Sequence, residues 1–76
     1  MSASVVNIAG YRFADMPDRD DLRQPLRDLC QDLGLKGTIL LAHEGINFFL
    51  AGSQNSIDSF VEWLEADPRF TNIPLK

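Results

Sequence analysis

Few residues of this chain have the types and spacing that chemistry needs. His43 is the only histidine and Cys30 the only cysteine. No His–His or Cys–His set can therefore grip a transition metal. His43 and Glu44 are neighbours in a polar break, which suggests an acid–base pair. Successive residues of an extended segment point to opposite faces, however, so the spacing favours an ordinary exposed turn histidine. Cys30 lies at helical spacing from Leu22, Leu26, Leu29 and Leu33. There a free cysteine packs as a small hydrophobe, whereas a reactive thiol needs exposure and nearby positive charge. The sequence contains no Walker loop, nucleophile elbow or Gly-x-Gly-x-x-Gly turn. The expectation is a chain with no catalytic residue, no metal and no cofactor of its own.

The strongest signal is an aromatic set, Tyr11, Phe13 and Phe49, on segments that read as strands. With Asn47, Arg12 and Lys36 it makes the candidate interaction face. Modules that recognise RNA stack bases on aromatics of central strands. Exposed apolar patches also dock neighbouring domains. The basic-aromatic signature of an RNA-recognition strand is missing, which favours docking. RNA contact and simple packing stay open beside it. Asn47 is the best polar candidate on this face, with a turn-stabilising hydrogen bond as its plainer role.

These residues must be positioned by a hairpin. Residues 36–52 form the only long apolar run, broken near the middle by His43-Glu44-Gly45. Two strand-length runs around a Gly-containing turn read as a β-hairpin. An even loop puts Ile39, Leu41, Ile46, Phe48 and Leu50 on one face, and a three-residue loop would exchange one strand's faces. Register follows the more hydrophobic face, so the even loop is expected. Thr38, Leu40, Ala42, Asn47, Phe49 and Ala51 then lie on the opposite side.

Residues 5–13 are rich in β-branched and aromatic side chains and read as a first strand. Val6 and Ile8 face the core in this reading, with Gly10 leaving room for a helix. Leu22, Leu26, Leu29, Cys30 and Leu33 mark one face of a helix. Pro25 is tolerated only in a first turn, so the regular helix is expected to begin near Asp21 or Leu22, or to be distorted there. Gly34 suits a left-handed stop. Ser53 caps a second helix with a stripe of Ile57, Phe60, Val61 and Leu64, ended by Asp67-Pro68. Residues 70–76 read as a short or truncated fourth strand. The order β-α-β-β-α-(β) with right-handed crossovers predicts an α+β, ferredoxin-like sandwich. Both helices then lie on one face of an antiparallel sheet ordered 4-1-3-2.

Composition sets outer bounds. Residues 1–76 suffice for one small domain, and 45% hydrophobic content argues against disorder. No apolar run is long enough to span a membrane, and the N-terminus lacks a secretory pattern. A lone cysteine makes a reducing cytoplasm the default. The net charge of −4 opposes nonspecific nucleic-acid binding. Most acids flank the two helical patterns, so an acidic helix layer over a neutral or weakly basic sheet is expected.

The run Leu35-Lys36-Gly37-Thr38-Ile39-Leu40-Leu41-Ala42, followed by Glu44-Gly45-Ile46-Asn47 and Ala51-Gly52-Ser53, resembles a known family. It is similar to the N-terminal domain of the rhodanese-domain tRNA uridine hydroxylases. The likeness continues through Trp63-Leu64 and Asp67-Pro68-Arg69-Phe70 and covers nearly the whole chain. His43 in place of proline and Phe48-Phe49 in place of small or polar residues depart from the family pattern. The resemblance implies oxygen-dependent hydroxylation of a tRNA wobble uridine by a rhodanese-like domain that follows this one and holds the reactive cysteine. Cys30 does not match that cysteine. This chain is then a noncatalytic accessory domain whose partners are the C-terminal rhodanese-like domain and tRNA, with no membrane. The alternative is a stand-alone ferredoxin-like protein-interaction module. Acylphosphatase-type hydrolysis on the same architecture lacks its phosphate-cradling loop after the first strand.

Overall fold

The computed structural model describes residues 5–75. The chain forms β1 (Val6–Phe13), α1 (Arg19–Leu33), β2 (Lys36–Ala42), β3 (Gly45–Gly52), α2 (Gln54–Glu65) and a 3-10 turn at Pro68–Phe70. The sheet is antiparallel with order β1-β3-β2. Ala42 pairs with Gly45, so the loop is the two residues His43 and Glu44. Ile39 pairs with Phe48 and Leu41 with Ile46, which is the expected even register.

That register sends Ile46, Phe48 and Leu50 inward. Leu26 of α1 and Ile57, Phe60 and Leu64 of α2 meet them from one side of the sheet. At the centre the Phe48 and Phe60 rings pack edge to face, 5.4 Å between centroids. Gly10 does make room, but for Phe48 rather than a helix: a Cβ there would lie 2.7 Å from Phe48 Cζ.

Three expectations need correction. The first concerns α1, which starts at Arg19 and carries Pro25 in its interior. Both Asp21 and Leu22 donate their N–H groups to the Asp18 carbonyl, so Asp18 heads the helix, ahead of the expected start near Asp21 or Leu22. Packing of the Leu22–Leu26–Leu33 stripe onto the core outweighs the hydrogen bond that proline deletes. Second, no fourth strand forms among the described residues. Pro68 starts a 3-10 turn, Asn72 takes a positive φ of 58°, and Pro74 lacks an N–H. Lys76, the end of the expected strand, lies outside the described residues. Third, Met16, which belongs to none of the apolar faces read from the sequence, is fully buried in the core. Ala14 and Met16 donate their N–H groups to the carbonyls of Glu44 and His43, tying the β1–α1 loop to the hairpin turn.

Both helix ends agree with expectation. Gly34 adopts φ 67°, with Gly34 N–H bonded to Gln31 O and Leu35 N–H to Cys30 O. This Schellman stop is sealed by the buried Leu35 side chain. Ser53 Oγ accepts from Ser56 N–H, and Ser56 Oγ donates to Leu33 O at 2.7 Å, linking the end of α1 to the start of α2.

Candidate interaction face

Strand alternation leaves one side of the sheet without a helix, and it collects most of the sequence-predicted residues. Tyr11, Asn47 and Leu40 form one cross-strand row; Ala9, Phe49 and Thr38 form the next. Phe13 and Lys36 lie at opposite ends of the face, paired with Gly45 and Ala51. The exposures are high for apolar side chains: Phe13 76%, Tyr11 61%, Leu40 56% and Phe49 54%. Tyr11 and Phe13 stand edge to face with centroids 5.6 Å apart. Four large apolar groups on contiguous rows make a patch rather than scattered surface hydrophobes. Leu40 belongs to it, although sequence reading did not include it among the candidates; its place in the strand alternation was the available signal.

Arg12 departs from this set. It shares the side of β1 that carries Val6, Ile8 and Gly10, and its guanidinium donates to Thr71 O at 2.8 Å. The contact pins the C-terminal stretch, and strand alternation keeps Arg12 off the aromatic face. Lys36 is then the only strand cation on that face among the described residues. The face offers apolar area and the Asn47 amide, with little charge.

The potential nucleophile is unsuited to chemistry. Cys30 is half-buried on α1, and burial pushes its thiol pKa up, the opposite of activation. His43 is exposed at the hairpin turn, where its Nδ1 accepts from Arg19 Nη1 at 2.8 Å. Accepting that bond places the ring proton of the neutral imidazole on Nε2. Among the described residues no three His, Cys, Asp or Glu side chains converge to hold a metal. No helix among them is long and apolar enough to cross a membrane.

A charged cluster lies beside the start of α1. Arg69 spans Asp18 with two bonds of 2.7 and 3.0 Å and reaches Asp67 at 2.7 Å. The Arg69 hydrogen bonds hold both carboxyls below their usual range and raise the guanidinium further. The cluster ties the 3-10 turn to the start of α1, which is a structural role.

Sequence reading also passed over a row of arginines. Arg19, Arg23 and Arg27 recur at i, i+4 and i+8 beside the apolar stripe of α1. This spacing sets them on one flank of the helix, while Asp21, Asp28 and Asp32 fall on another. The helix layer is accordingly split by charge rather than uniformly acidic.

Comparison with known proteins fits this architecture. Residues 5–76 match the family described as the UPF0176 acylphosphatase like domain. A tRNA uridine(34) hydroxylase of Cupriavidus pinatubonensis is 56% identical over 72 residues, 95% of this chain and 26% of that protein. A protein of the same name from Bordetella avium is 55% identical over 73 residues, 96% of this chain and 30% of its own length. The one from Ralstonia nicotianae is 53% identical over 72 residues. The chain thus spans less than a third of these relatives. It belongs to the UPF0176 acylphosphatase-like domain family.

Proposed function

We propose that this chain is the noncatalytic N-terminal domain of a cytoplasmic tRNA uridine(34) hydroxylase, and that its helix-free sheet face docks the rhodanese-like catalytic domain of the same polypeptide. The observation that carries the reading is the contiguous patch of Tyr11, Phe13, Leu40 and Phe49, about half to three-quarters exposed on a sheet whose other face packs against both helices. Covering such rings releases up to about 1.5–3 kcal/mol per side chain, enough for a few of them to hold two domains together within one chain. The relatives support it, since sequence equivalent to this chain fills only 26–30% of their length. In this reading the domain contributes no reacting group. It orients the catalytic domain, which supplies the nucleophile and the oxygen chemistry.

The test is an NMR titration of the isotope-labelled chain with the separately produced remainder of a full-length protein. Shifts confined to Tyr11, Phe13, Leu40 and Phe49, weakened by Phe49→Ala, support docking. Micromolar binding of an anticodon stem-loop at those same residues, with no response to the other domain, would reverse the assignment.

A further inference from the structure

A row of arginines left unused by this function lies on the opposite, helix-bearing side of the molecule. The β2 strand pairs only with β3, so its outer edge presents unpaired backbone groups. Between that edge and α1 runs a groove of about 400 Å³. One wall carries Arg23, Arg27 and Gln31; the other is the edge of β2 at Gly37 and Thr38. The floor is apolar, formed by the half-buried Ile39 and Leu41 above the buried Leu26 and Leu35. Arg19 continues the arginine row toward the hairpin turn, where it meets His43.

The arginines are available. Arg23 lies 3.3 Å from Asp20, but both side chains are more than half exposed, so the pair is weak. Arg27 has no ion-pair partner among the described residues. One helical turn separates successive members of the row, about 6 Å. Asp21, Asp28 and Asp32 lie on a different flank of the helix, about 10 Å away across its diameter. That exceeds the Debye length of about 8 Å at physiological salt, so the chain's net charge of −4 does not cancel the local field.

An apolar floor, a row of guanidiniums and a free strand edge together match one kind of ligand. We propose that this groove, rather than the aromatic face, holds single-stranded RNA of the tRNA substrate. Phosphates sit against Arg23 and Arg27, one splayed base covers the half-buried Ile39–Leu41 floor, and the β2 backbone hydrogen-bonds the base edge. Single-stranded RNA is recognised through splayed bases that lie against side chains, arginine guanidinium planes among them, and are hydrogen-bonded on their edges; arginine is also the residue suited to phosphate. The proposal rests on the tRNA reading above. It frees the aromatic face for the catalytic domain, so both partners can be engaged at once.

The test uses the 76-residue chain at about 50 mM salt, where phosphate contacts are strong. The probes are an anticodon stem-loop with uridine at the wobble position, its fully paired duplex, and poly-glutamate. The stem-loop is expected to shift Gly37, Thr38 and the Arg23 and Arg27 Nε–H signals. Arg23→Ala with Arg27→Ala should weaken binding about tenfold and cut the slope of log K against log salt by about 1.4, or 0.7 per phosphate contact. Arg23→Lys with Arg27→Lys should keep the slope but only part of the affinity. These sites are on the surface, and an unchanged amide spectrum of each free variant confirms the fold. Stem-loop shifts confined to Tyr11, Phe13 and Phe49 overturn the groove while leaving the tRNA reading intact. Equal affinity for poly-glutamate or the duplex overturns single-strand recognition. No stem-loop response anywhere, with the catalytic domain still shifting the aromatic face, overturns the groove and leaves docking standing. Silence toward both partners overturns both proposals.

Discussion

Gly10 and Phe48 offer a sharp test of how this core is built. Replacing a strand glycine with alanine normally stabilises by about 0.5–1 kcal/mol, because glycine surrenders more backbone freedom on folding. At Gly10 the sign should reverse. The new methyl would meet Phe48 Cζ at 2.7 Å and Cε1 at 3.1 Å, where ordinary contacts lie beyond 3.4 Å. Phe48 cannot swing aside, since it is fully buried and locked against Phe60. Leu75, whose Cδ2 is 3.1 Å away, is a flexible side chain at the surface and can yield. Overpacking of this kind costs about 1–3 kcal/mol, so Gly10→Ala should be destabilising overall. Phe48→Leu removes the far edge of the ring and costs stability alone, but it opens the space the methyl needs. The double variant should therefore be more stable than the sum of the singles by about 0.5–3 kcal/mol. Urea denaturation of all four proteins, with unchanged m-values, measures the cycle. Additivity within about 0.5 kcal/mol would show that the two residues are not in forced contact and that the account of Gly10 is wrong.

Other substitutions probe the remaining elements. Pro25→Ala should stabilise α1 by about 1–3 kcal/mol in the same assay, because it restores an interior helix N–H; a loss of stability would refute an uninterrupted helix from Arg19. Gly34→Ala should cost about 1 kcal/mol through its left-handed backbone alone, since nothing lies within 4 Å of the added methyl, and Gly34→Asn should cost less. Asp18 and Asp67 have folded pKa values below the ordinary 3.8, so their contribution is full above that pH and is lost as pH falls below it. Arg69→Met should lower stability at neutral pH and flatten this acid limb in pH-dependent thermal melts. An unchanged limb would show that Arg69 does not hold the carboxyls.

The sequence by itself determined the elements and their faces. Alternation about His43-Glu44 settled the hairpin register, because a one-residue slip exchanges the buried and exposed sets of a strand. The same alternation put Tyr11, Phe13, Asn47 and Phe49 on one surface before any coordinates were needed. Ser53 and Gly34 marked helix ends because their capping is local chemistry. Other features depended on partners distant in sequence. Met16 is buried because its backbone is bonded to the hairpin turn 27 residues away, which no local pattern announces. Alternation already sets Arg12 on the side away from the aromatics, but its partner there is a carbonyl 59 residues away. The stretch after Pro68 failed to pair although its residues suit a strand, because a 3-10 turn, a positive φ at Asn72 and Pro74 interrupt it. The arginine spacing was legible in sequence. Only packing α1 beside the open edge of β2 turned it into a groove, because that shape belongs to two elements whose separation is fixed by the core beneath them.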